Sequence, residues 1–101
     1  YLSPAHRDNL AGGCPSAALL DEIGRCDIAV REAYTDGASA MISAIARHLD
    51  DGDAAAATQR AIGLFTLLVG SLQAARAVTD PELSERILAA AYANAMTLAT
   101  A

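Results

Sequence analysis

AAAATQRAIGLFTLLVGSLQAARAV at 54–78, followed by TDPELSERILAAAYANAMTLATA at 79–101, makes up nearly half of the chain and carries few charges. From Asp53 to Val78 polar residues are sparse, with Thr58, Gln59 and Arg60 near the start and only Thr66, Ser71, Gln73 and Arg76 after them. Ala61, Phe65, Leu68, Leu72 and Ala75 fall on one apolar stripe of a helix, and Leu64, Leu67, Ser71, Ala74 and Val78 on a second, turned roughly 60–100° from it. One stripe serves the domain's own core, and the other needs a different partner. Gly63 and Gly70 lie seven apart on one line, where a missing side chain costs about 1 kcal/mol relative to alanine but lets another helix approach closely. Thr79-Asp80-Pro81-Glu82 then opens a last helix at 81. It supplies a capping Asp or Thr, a proline whose missing N–H had no partner there, and a carboxylate near the positive end of the helix dipole.

Beyond Arg86 that helix runs from Ile87 to Ala101 without a charge, too short and too alanine-rich to span a bilayer. Ala89, Ala91, Ala93 and Ala95 are small enough to let it pack against the preceding helix and against a second copy of the chain. Leu67, Ser71, Ala74, Ala91, Ala95 and Leu98 are the residues expected at a homodimer seam. The competing reading is packing of the last two helices within one chain.

Working back from this pair, Asp27 can cap a helix over 28–49, with Val30, Tyr34, Gly37, Met41, Ile45 and Leu49 on its apolar side and Arg31, Glu32, Asp36, Ser39, Ser43 and Arg47 opposite. Asp50-Asp51-Gly52-Asp53 ends it and caps the next. Cys14-Pro15 starts a short helix over 15–24 that stops at Gly24, and 1–13 reads as an irregular lead-in with at most one turn of helix. Tyr34, Met41 and Phe65 are the large side chains expected to face the interior, where they line an effector cavity or form plain core.

The whole chain has 101 residues, 53% of them hydrophobic and 19% charged, which is one domain with enough apolar surface to fold. Alanine fills 25 positions and aromatics only Tyr1, Tyr34, Phe65 and Tyr92, so the expected class is all-α, an antiparallel helical bundle. A net charge of −5 disfavours phosphate backbones and anionic membranes, so no nucleic acid and no membrane are expected as direct partners. Two cysteines, Cys14 and Cys26, are too few for a disulfide scaffold, and no leader pattern opens the chain, which points to a reducing cytoplasm. No nucleophile elbow, phosphate loop, paired catalytic carboxylates or zinc-ligand spacing occurs, so no enzyme, no metal and no cofactor are expected. Cys14 sits at a helix start, where partial positive charge favours thiolate. It is read either as a redox or electrophile sensor with Cys26 as partner, or as a small capping residue.

Tyr1-Leu2-Ser3-Pro4-Ala5-His6-Arg7-Asp8, then Gly13-Cys14-Pro15-Ser16-Ala17-Ala18-Leu19, the Leu-Val-Gly of 68–70 and Asp80-Pro81-Glu82-Leu83-Ser84 occur in an order that resembles the C-terminal domain of bacterial TetR-family transcriptional regulators. The resemblance runs over essentially the whole chain. It implies a domain that encloses a small-molecule effector and dimerises through a four-helix interface made by the last two helices of each copy. Operator DNA is then read by a helix-turn-helix domain preceding Tyr1, and the opening at Tyr1 is read as a cut from such a longer protein. The helices walling one side of the family's pocket would also precede Tyr1, leaving the pocket of this piece open.

Overall fold

The computed structural model describes residues 1–9 and 15–101. Five helices follow in order among them: α1 (Pro4–Asp8), α2 (Pro15–Ile23), α3 (Ile28–Leu49), α4 (Ala54–Ala77) and α5 (Pro81–Thr100), with no strand. Each long helix starts where an aspartate takes up a backbone N–H that would otherwise lack a partner. Asp27 accepts from the Val30 amide at 3.1 Å, Asp53 from the Ala56 amide at 3.1 Å and Asp80 from the Glu82 amide at 3.0 Å. The turn between α3 and α4 needs Gly52, whose φ of +120° disfavours any side chain, and the Gly52 amide donates to Asp50 at 2.9 Å. The all-α reading holds, the bounds expected for α3 match, and α5 starts at 81 as expected.

The three long helices form a layer with α4 in the middle, packed against α3 on one side and α5 on the other. Short α2 packs on α4 and touches α3, and α1 packs on α4. Burial follows this arrangement. Ala57, Ala61, Leu64, Val69, Leu72 and Ala75 of α4 are buried, as are Ser84, Leu88 and Ala91 of α5 and Ser16 and Ala17 of α2. Among the described residues Leu72 is the one large side chain wholly removed from water. It joins Ala17, Ala75 and Leu88 in a small cluster, with Leu2 and Ile87 packed at its edge.

No residue of α3 is buried. Its half-buried side runs through Tyr34, Ala38, Ile42, Ile45 and Leu49, which shares Tyr34, Ile45 and Leu49 with the expected stripe and is turned about 45° from it. Val30 and Met41, expected inside, are 44% and 51% exposed. The reason is geometric: α3 packs against α4 and the edge of α2 instead of being surrounded, so part of its apolar side is left facing water.

The molecule is consequently flat, 42 × 36 × 18 Å, its thinnest dimension less than two helix diameters of about 10–12 Å each. Its radius of gyration is 14.4 Å, against about 12.7 Å for a compact chain of this length. Its accessible surface is 6317 Å², against about 5,350 Å² for a typical monomer of 10.3 kDa.

Candidate functional site

The α4–α5 pair is where the expected seam residues can be placed. Ala91 is buried within the chain, in line with the competing reading that the last two helices pack on each other. Leu67, Ser71, Ala95 and Leu98 are half-buried, and Ala74 is exposed. The intrachain character of this stripe is clearest at Gly63, where a Cβ would meet the Leu98 side chain at 3.6 Å. Gly63 therefore admits the chain's own α5, whereas a Cβ at Gly70 would have open space before it. The side of α4 left to water carries Ile62, Thr66, Gly70, Ala74 and Ala77, further around the helix than either expected stripe. On α5 the corresponding exposed residues include Ala89, Ala90, Tyr92, Ala93, Met96 and Thr97, with Tyr92 62% and Met96 47% exposed.

Tyr34, Met41 and Phe65 do not share one interior. Tyr34 is half-buried, and its hydroxyl hydrogen-bonds the Ser16 hydroxyl at 2.7 Å, tying α3 to α2. Phe65 is half-buried on α4, while Met41 faces water. Of the two thiols, Cys14 lies outside the described residues. Cys26 is free and exposed, and its Sγ donates to the Glu22 carbonyl at 3.3 Å.

Two arginines of the apolar helix α4 do work that the sequence reading did not assign. Arg60 donates from Nε to the Leu98 carbonyl and from Nη2 to the Ala99 carbonyl, both at 2.9 Å, so it satisfies the carbonyl end of α5. Arg76 does the same for α1, with Nε donating to the Arg7 carbonyl at 3.0 Å and Nη2 to the His6 carbonyl at 3.1 Å. The available signal was a pair of charged residues on an otherwise apolar helix, since a half-buried guanidinium must find acceptors. Their identity was hidden because they lie 38 to 70 residues away.

Arg7 returns the contact. Its Nη1 donates to the Ser84 hydroxyl at 2.8 Å, and that hydroxyl donates to the Ala75 carbonyl at 2.8 Å. The Arg7 guanidinium also holds Asp8 at 2.9 Å, which draws the Asp8 carboxyl below its ordinary value and raises Arg7 in turn. These groups border an open depression of about 350 Å³ with Val78, Thr79 and Pro81 on its rim. A second, more apolar depression of about 420 Å³ is lined by Leu2, Pro4, Glu85, Leu88, Ala89 and Tyr92.

Among the described residues no group of three or more His, Cys, Asp or Glu side chains converges to hold a metal. By length and composition α4 is long and apolar enough to cross a membrane, although its charge-free apolar run from Ala61 to Leu72 is about half of the roughly 20 residues a span requires. Six of its 24 residues are buried against its neighbours, and both of its arginines bond to other helices. Comparison with known proteins finds no matching family model, no matching curated protein and no matching solved structure.

Proposed function

We propose that this domain is a homodimerisation and ligand-sensing module, the C-terminal half of a cytoplasmic TetR-family transcriptional regulator. The observation that carries the dimer is the surplus of accessible surface. The chain exposes roughly 1,000 Å² more than a typical monomer of its mass, and a standard interface removes about 800 Å² from each partner. The outward sides of α4 and α5, where small residues and Ile62, Tyr92 and Met96 meet water without a charge beyond Arg86, are the surface a second copy would cover. The regulator assignment rests on the ordered sequence resemblance. In that reading operator DNA is bound by a separate helix-turn-helix domain, which agrees with the net charge of −5 here. An effector would act by binding one arrangement of the two copies more tightly than another.

Sedimentation at micromolar concentration tests the dimer: a particle of about twice 10.3 kDa is expected, and one of about 10 kDa overturns it. A second reading, a structural dimerisation module without an effector, is favoured by the outward-facing Met41, which leaves Tyr34, Met41 and Phe65 without a common interior. A thermal-shift screen with small apolar and aromatic compounds separates the two. A ligand that binds only the folded state raises its melting temperature, and a uniformly flat screen favours the structural module.

A further inference from the structure

We propose that α1 is a strap that opens independently of the rest of the fold, and that its docking sets the geometry of the corner where α4 turns into α5. The helix has five residues, none of them buried, and a single isolated turn does not persist in water. Docking is therefore what keeps it helical. The dock is a reciprocal clasp of two arginines. Arg76 reaches from α4 to the His6, Arg7 and Asn9 carbonyls, at 3.1, 3.0 and 3.4 Å. Arg7 reaches from α1 to the Ser84 hydroxyl in the first turn of α5. Apolar help comes from Leu2, packed at the edge of the Leu72–Ala75–Leu88 cluster.

The clasp is closed but incompletely satisfied. Arg76 Nη1 is buried with no hydrogen-bond partner, so opening the strap exchanges an orphaned donor for a hydrated one and offsets part of what is lost with the carbonyl bonds. A segment with no buried residue and a partly frustrated lock belongs at the low-stability end of a fold. The consequence reaches α5 through one hydroxyl. Buried Ser84 accepts from Arg7 while donating to the Ala75 carbonyl, which joins the first turn of α5 to the last turn of α4. Releasing Arg7 replaces that fixed donor with water and leaves the hydroxyl held only by the Ala75 carbonyl, so the state of α1 is transmitted to the start of α5.

Amide hydrogen exchange on the full chain tests this, whatever its assembly state. The Arg7 and Asn9 amides, which donate within α1, are expected to exchange about a hundredfold faster than those of residues 64–72, with little dependence on low denaturant. Arg76→Gln is expected to speed α1 by roughly a further tenfold and to speed residues 84–88, leaving 64–72 unchanged, while Arg86→Gln on the exposed side of α5 changes none of them. Should Arg76→Gln fail to fold, Arg7→Gln breaks the strap's own half of the clasp and carries the same expectation. Exchange of α1 in step with α4 at every denaturant concentration, or an α1 indifferent to both substitutions, overturns the proposal. A monomer whose strap opens leaves this inference standing and removes only the dimer.

Discussion

Gly70→Arg separates what α4 does within one chain from what it does between two. Within the chain nothing lies within 4 Å of the position a Cβ would take, so the side chain enters open space. Glycine inside a helix is less favourable than a good helix former by roughly 0.7 kcal/mol, so the single chain should gain about that much. At about 4–8 °C per kcal/mol for a domain of this size, its melting temperature should rise by roughly 3–6 °C. Between chains the effect is opposite. A two-fold seam across the outward side of α4 would bury one arginine from each copy, and a charge left unpaired on desolvation costs several kcal/mol. Even about 3 kcal/mol weakens association more than a hundredfold. Sedimentation velocity from roughly 1 to 100 μM, beside thermal melts at the dilute end, reads both quantities. Expected is a monomer that melts higher than the wild-type chain does when diluted below its own dissociation constant. A variant that dimerises as tightly as wild type places the seam elsewhere, and one that melts lower contradicts the open surroundings of Gly70. Gly63→Ala is the control, since its Cβ meets Leu98 at an ordinary 3.6 Å and should be tolerated.

Leu72→Ala, at the one large side chain with no exposure, should cost about 3–5 kcal/mol, a large share of a total of about 5–15 kcal/mol, and urea unfolding would measure it. Arg60→Gln removes the donors that reach the Leu98 and Ala99 carbonyls and should cost about 1–2 kcal/mol, with faster amide exchange confined to the last turn of α5. The Asp8 carboxyl is held below its ordinary value chiefly by its hydrogen bond to Arg7. The stabilisation it contributes is thus fully present above the unfolded-state value and lost as pH falls through the lowered folded-state one. An NMR titration of the Asp8 carboxyl should follow this order, and Arg7→Gln should return its midpoint to that of a free aspartate.

The agreement between expectation and structure divides along sequence separation. Asp27, Asp53 and Asp80 were readable as caps because a cap bonds an amide two or three residues ahead, and proline at 81 marks the first turn by its own covalent geometry. The sides of the helices were less legible. On α3, α4 and α5 alanine occurs all the way round, so a helical wheel offers weak contrast between a side that meets a neighbour and one that meets water. That is why the expected stripe on α3 shares only Tyr34, Ile45 and Leu49 with its half-buried side, and why the small residues of α5 do not distinguish a contact within the chain, such as that of Ala91, from one between copies.

Backbone propensity and capping act over a few residues, so the all-α class, the number of long helices, their starts and the acidic residues that cap them were legible in the chain. That Gly63 receives Leu98 while Gly70 stays open, that Met41 faces water, and that Arg60 and Arg76 close the carbonyl ends of other helices follows only from the packing. Each of those outcomes depends on which helix lies beside which and at what rotation, and small apolar side chains permit several such arrangements. The long-range arginine bonds select one of them, since a guanidinium within an apolar layer is stable only where carbonyls are within reach.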